Sequence, residues 1–246
     1  MGLPLNFVQG PCVSGIDVRP GSYDIHIGDV VRSKHFERNV LRPVFIGKVK
    51  DERECLFAMI NYGVRHCVID ARPETTLAKR LQEEASRHYI EAYRAQYNSQ
   101  PSAIEMTLNE AEKLYTLERT MTLDVVHHHF QTLHQIVLPA NYQHVTDGQF
   151  ASEMCSSTRT PSKWHGRDYW MWVEKGPDHS FHAMNMMFTA ARISGLLDGE
   201  GTGQVIYSKG EMISSANAEY DPGEPEFRKQ RIERMMARDD EVVFDA

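Results

Sequence analysis

Three aspartates stand where an aspartate is costly. Asp17 interrupts the apolar run "CVSGIDVRP", and Asp70 closes the nearly all-apolar run "RHCVIDA". Asp178 follows a proline at the head of the oily stretch "GPDHSFHAMNMMFTAA". Burying an isolated carboxylate is expensive unless it gains a partner or a cation. Three converging carboxylates repel one another unless a divalent ion neutralises them. Oxygen ligation of this kind selects Mg²⁺ or Mn²⁺ over zinc. Two such ions about 4 Å apart can activate water and stabilise the leaving oxygen in phosphodiester cleavage. Two of the acids also have a plainer reading: Asp70 could cap the helix that follows it, and Asp178 the last helix. Asp17 is harder to explain that way.

The last helix carries more than its first acid. Asp178, His182, Asn185 and Thr189 are spaced to form one polar stripe. Phe181, Met184 and Phe188 form an adjacent apolar stripe suited to packing on a sheet. His182 and His179 are candidates for an outer shell around an ion. Asp24 and Asp124 are lesser candidates, and neither is expected to ligate directly.

These residues need a scaffold. "SYDIHIGDVVR" alternates apolar and polar residues with the period of a half-buried strand. With "CVSGIDVRP" and "RPVFIGKVK" it predicts three consecutive strands. "DERECLFAMINYG" predicts a helix, with acids in its first turn, Gly63 as its stop, and Leu56, Met59 and Ile60 on one face. "RHCVIDA" then suits a strand buried on both faces after a crossover helix. "PETTLAKRLQEEASR" reads as a helix starting at Pro73 and Glu74, and "HYIEAYRAQY" as a fifth strand. Residues 98–113 are polar and give no clear pattern. "KLYTLERT" reads as a strand, "MTLDVVHHHFQTLHQ" and "DGQFASEMCSST" as helices, and "SKWHGRDYWMWVEKG" as a hairpin around Gly166. The fold class is α/β, a mixed sheet flanked by helices. Residues 1–12 read as a lead-in, 13–198 as the domain, and 199–246 as a disordered, flexible, charged tail.

Bulk properties narrow the classes. No stretch approaches the roughly 20 apolar residues that span a bilayer, so no membrane role is expected. The start of the chain lacks a basic, continuously apolar secretory signal. Cys12, Cys55, Cys67 and Cys155 form no CxxC pair. That argues against structural zinc and a disulfide framework, and predicts mostly buried small hydrophobes in a reducing compartment. The net charge of −7 counts against a broadly basic surface, although four acids crowd the last nine residues and a local groove can differ from the whole.

The order and spacing of "GIDVRPGSYDIHI", "VIDARPETTLAKRLQEE", "ERTMTLDVV", "IVLP" and "W…EKGPDHSFHAMNMMFTAA" resemble the nuclease domain of tailed-phage large terminases, across about residues 13–195. The resemblance implies an RNase H-like fold and metal-dependent cleavage of concatemeric double-stranded DNA during genome packaging in the host cytoplasm. By motif, Asp17, Asp70 and Asp178 would be the catalytic, metal-binding acids, with two Mg²⁺ or Mn²⁺ ions. Asp17 and Asp70 would act from neighbouring strands, and Asp178 from the helix. The implied partners are the terminase ATPase domain, the small terminase and the portal protein. The chain departs from the family in lacking a GxxxxGK[ST] phosphate loop. "GEGTGQVIYSKGE" has the wrong spacing, so ATP hydrolysis is not expected. The chain reads as either an excised domain or a separate nuclease subunit.

Two other features carry chemistry-bearing residues. The run His127, His128, His129 lies on consecutive helical positions, which point in different directions and do not share an ion easily. Arg72, Lys79, Lys163 and Arg167 are candidate DNA contacts, the last two near the tip of the hairpin. Two rival readings remain open at this level. One is another RNase H-like nuclease of resolvase or recombination type. The other is a packaging adaptor that binds portal or DNA without catalysis.

Overall fold

The computed structural model describes residues 3–4, 7–98, 100–138, 140, 142–164, 167–197 and 205–208. It is α/β, with a mixed sheet flanked by helices, as the pattern of apolar runs predicts. The strands in chain order are β1 (Leu3–Pro4), β2 (Cys12–Arg19), β3 (Ser22–Arg32), β4 (Asn39–Val49), β5 (Val64–Asp70), β6 (Glu91–Tyr97), β7 (Met106–Asn109), β8 (Leu114–Leu117), β9 (Ser157–Trp164), β10 (Arg167–Glu174) and β11 (Val205–Ser208). The helices are α1 (Glu52–Asn61), α2 (Thr75–Arg87), α3 (Arg119–Gln131), α4 (Gln149–Met154) and α5 (His179–Ile193).

Seven main strands run β4-β3-β2-β5-β6-β8-β7, with short β1 and β11 at the two edges. β2, β3 and β4 form an antiparallel meander. β5 then pairs parallel to β2, and β6 parallel to β5, because α1 and α2 carry the chain back across the sheet. β9 and β10 form a separate two-stranded ribbon.

The period of two in β2 sorts the core. Cys12, Ile16 and Val18 join the apolar cluster under α1 and α2, with Cys55, Met59 and Leu81. Val13 belongs to the opposite cluster, with Met184, Met187 and Phe188 of α5. The odd-numbered positions of β2 therefore face α5, and Asp17 is one of them. Gly15 is another, and it lets the helix come close. A Cβ there would stand 2.0 Å from the Met187 nitrogen and 2.2 Å from the Ala183 oxygen. Every residue from Ser180 to Arg192 is buried, so α5 is a central helix with no free face.

Several details depart from the sequence expectations. On α1 the buried face is Cys55, Ala58 and Met59, while Ile60 is exposed, since the helix is seated about its small residues. α2 begins at Thr75, two residues after the proline, with Glu74 at its N-cap. The unreadable stretch 98–113 contains β7, four residues too short to show a period. The run "DGQFASEMCSST" is helical at Gln149–Met154, but Ser157 and Thr158 already belong to β9. Within the lead-in, Leu3–Pro4 pairs with β4. Of the tail expected over 199–246, Val205–Ser208 forms β11 parallel to β7, and the rest lies outside the described residues. Cys12, Cys55 and Cys67 are buried and Cys155 is exposed.

Candidate metal centre

The two-residue connection Pro20–Gly21 sets the register of the first hairpin and places Asp17 directly opposite Asp24. The parallel pairing of Ile16 with Ile69 carries Asp70, one residue further on, to the flank of Asp17. Strand alternation puts Asp70 on the same face as Val68, which packs in the α5 cluster. Three strands thus deliver Asp24, Asp17 and Asp70 side by side beneath the start of α5. All three are buried.

α5 supplies the opposing wall. Asp178 holds its N-cap position, and its backbone carbonyl accepts from the amides of Phe181 and His182. Its carboxylate, however, makes no capping bond. That work falls to Glu153 of α4, whose Oε2 accepts from the Ser180 amide at 2.8 Å and hydroxyl at 2.7 Å. The Asp178 side chain is freed to turn toward β9 and α3. Its Oδ2 accepts from Ser157 Oγ at 2.7 Å, His182 Nε2 at 3.2 Å and Arg119 Nη2 at 3.4 Å. These bonds all fall on one oxygen, and Oδ1 has no hydrogen-bond partner among the described residues.

The next residue points the other way. His179 Nδ1 lies 2.8 Å from Asp17 Oδ2. Asp17, Asp24 and His179 each offer a ligand atom, and these atoms all lie within 4.8 Å of one another, so this buried group could hold a metal ion. Asp70 and Asp178 are not in that compact group. Asp70 instead uses Oδ1 to accept from the Arg72 amide at 3.0 Å, a local turn rather than a helix cap. Arg19 pairs with Asp24 from the far side of the cluster.

Burial, with the Asp17 charge beside it, pushes the Asp70 carboxyl up to about 7 against the bond from the Arg72 amide. Burial likewise pushes Asp24 up to about 6; Arg19 opposes this and the charges of Glu153 and Asp17 add to it. Asp178 behaves oppositely. Burial raises it, but the hydrogen bonds of His182 and Ser157 and the nearby Arg119 overcome this and hold it at about 2. His179 is raised above its ordinary value by its bond to Asp17. Two neighbouring buried acids are thus both raised well above the ordinary carboxylate range, chiefly by burial.

The site residues named from sequence divide clearly. Asp17 and Asp70 come together on neighbouring strands, and His179 joins Asp17. Asp178 and His182 form a second, adjoining pair. Asp24, weighed as a lesser candidate, stands inside the compact group. Its signal was the two-residue turn, which fixes 17 opposite 24. Glu153 carried no sequence signal, being 27 residues from the amide it caps. Asp124 lies outside the centre and accepts from Trp172 Nε1 and Arg159 Nη2, anchoring the ribbon. His127 is exposed, His128 half-buried and His129 buried against Phe188, so the three do diverge. Arg72, Lys79 and Lys163 are exposed. The Arg167 side chain lies outside the described residues.

No family model, curated protein or solved structure matches this chain.

Proposed function

We propose that the protein is a divalent-metal-dependent endonuclease acting on double-stranded DNA, the nuclease part of a phage packaging terminase. The observation that carries this reading is the placing of Asp17 and Asp70, both buried, on adjacent parallel strands with Asp24 and His179 beside them. An antiparallel meander followed by parallel strands, with the acids on the central pair, is the arrangement the RNase H-like resemblance implies. The carboxylates fit Mg²⁺ or Mn²⁺, and the imidazole of His179 shifts the preference within that pair toward Mn²⁺.

Asp17, Asp24 and His179 would hold one ion; Asp70 and Asp178, which stand outside that group, are the acids the resemblance would assign to a second. Bound there, the ions would supply water activation and charge neutralisation at the leaving oxygen. The chain's own residues do the rest. His182, Ser157 and Arg119 keep the Asp178 carboxylate ionised and turned in one direction. Glu153 holds the start of α5, and with it Asp178 and His179, against β2 and β3. Arg72 and Lys79, exposed on the segment just after Asp70, are placed to take phosphates of the duplex. The cellular setting is the packaging motor in the host cytoplasm, with the ATPase domain, small terminase and portal as partners.

The test is cleavage of supercoiled plasmid by the purified chain with Mn²⁺, Mg²⁺ or EDTA, beside Asp70→Ala. The reading expects cleavage that requires metal and disappears in the variant. Metal-dependent cleavage that persists undiminished in Asp70→Ala, or a folded protein that cleaves with neither ion, counts against it.

A further inference from the structure

The wall of the centre formed by α5 is tied to β6 and α3 by a buried chain of hydrogen bonds through Asn185, whose Oδ1 has no partner among the described residues. The Thr122 hydroxyl donates to the Glu118 carbonyl at 3.0 Å, the back-bond typical of a helical threonine. Its oxygen is then an acceptor, and Asn185 presents Nδ2 to it at 3.3 Å. The same Nδ2 donates to Tyr97 Oη at 2.9 Å. The Tyr97 proton must therefore go elsewhere, and His182 Nδ1 stands 2.8 Å away. A ring nitrogen that accepts there leaves the imidazole proton on Nε2. Nε2 faces Asp178 Oδ2, which can only accept. The 3.3 Å approach of Arg119 Nη2 to the same nitrogen is then a contact between two donors that share Asp178 Oδ2 as acceptor.

We propose that Tyr97 is a positioning residue: its hydroxyl donates to His182 Nδ1 and, together with Asp178, holds His182 as the Nε2-protonated tautomer, so that His182 donates to Asp178 Oδ2 and leaves Oδ1 as the atom offered to an ion. The role for the ion rests on the nuclease reading; the tautomer does not. Tyr97 never touches the acids itself. Its ring stacks edge-on against His182, with centroids 5.2 Å apart, which restrains rotation of the imidazole. Asn185 completes the device by occupying the hydroxyl lone pair that would otherwise accept from His182. Outer partners of this kind typically change metal affinity about 10–100-fold when removed.

The experiment uses the full chain with ¹⁵N-labelled histidine and reads the His182 ring nitrogens by long-range ¹H–¹⁵N correlation. The wild-type ring is expected to show a protonated Nε2 and a bare Nδ1. Tyr97→Phe removes one oxygen and keeps the ring; it is expected to shift the Nδ1 resonance, which loses its donor, and to lower Mn²⁺ affinity about 10-fold. Asn185→Asp offers the Tyr97 proton a different acceptor and is expected to place a proton on Nδ1 as well. Urea denaturation of each variant separates these effects from loss of fold. A wild-type ring protonated on Nδ1, or a Tyr97→Phe spectrum identical to wild type, overturns the assignment. If the wild-type chain binds no Mn²⁺, the nuclease reading fails, and the nitrogen shifts still decide the role of Tyr97.

Discussion

Gly15→Ala tests whether α5 is pressed onto β2 as closely as the metal centre requires. An alanine Cβ at this position would meet three backbone atoms of the helix: Met187 N at 2.0 Å, Ala183 O at 2.2 Å and Met186 C at 2.7 Å. Ordinary contact begins near 3.4 Å, so the shortest contact falls about 1.4 Å short. Backbone cannot rotate aside as a side chain can, and the helix must back away as a body. Overpacking in a core typically costs 1–3 kcal/mol, and this clash belongs at or above about 3 kcal/mol. For a domain of this size that lowers the melting temperature by roughly 6–12 °C. The displacement also separates Asp17 from His179, so Mn²⁺ affinity should fall together with stability. Gly21→Ala is the control. No atom lies within 4 Å of its Cβ, and its φ of +74° costs only the left-handed penalty of about 1–2 kcal/mol. Urea denaturation measures both. A Gly15→Ala protein within about 0.5 kcal/mol of wild type would refute the close approach.

Other consequences can be measured directly. Because Asp70 and Asp24 are raised from 3.8 to about 7 and about 6, the folded ion-free protein holds more protons than the unfolded chain between about pH 4 and 7. Their contribution is complete below pH 4 and is lost as pH climbs through 6 to 7; for Asp70 it amounts to about 4 kcal/mol. The stabilisation by Mn²⁺ in thermal unfolding should therefore be small at pH 5 and large at pH 8, and equal shifts at the two pH values would contradict the raised carboxyls. Glu153→Ala removes the buried acceptor of two Ser180 donors and should cost about 2–4 kcal/mol in urea denaturation; a loss below about 0.5 kcal/mol would mean that α5 caps itself. Lys79→Ala and Arg72→Ala should each weaken DNA binding and lower the salt slope by about one; unchanged slopes would move the duplex to another face.

The elements were readable where a period could establish itself. β3, eleven residues long, alternates apolar and polar side chains through Ile27, although the structure buries both its faces rather than one, and α2 carries one buried stripe. β7 could not be read, because four residues amid polar neighbours make no pattern. The site was legible one acid at a time: an aspartate inside an apolar strand is unusual wherever it occurs. Its composition was less so. The compact group takes Asp24 and His179 rather than Asp70 and Asp178, because a hairpin register and a helix approach decide which oxygens meet. The helix-cap reading of Asp178 was right in backbone and wrong in side chain. Glu153 took over the amide from 27 residues away, and no local spacing announces that.

Crystals grown with Mn²⁺ and measured for anomalous scattering test whether the acids beneath α5 form a divalent-metal centre. A peak is expected within ligand distance of Asp17, Asp24 and His179, a second beside Asp17 and Asp70, and loss of both in Asp17→Asn. A well-ordered crystal at saturating Mn²⁺ with no peak among these residues would contradict it.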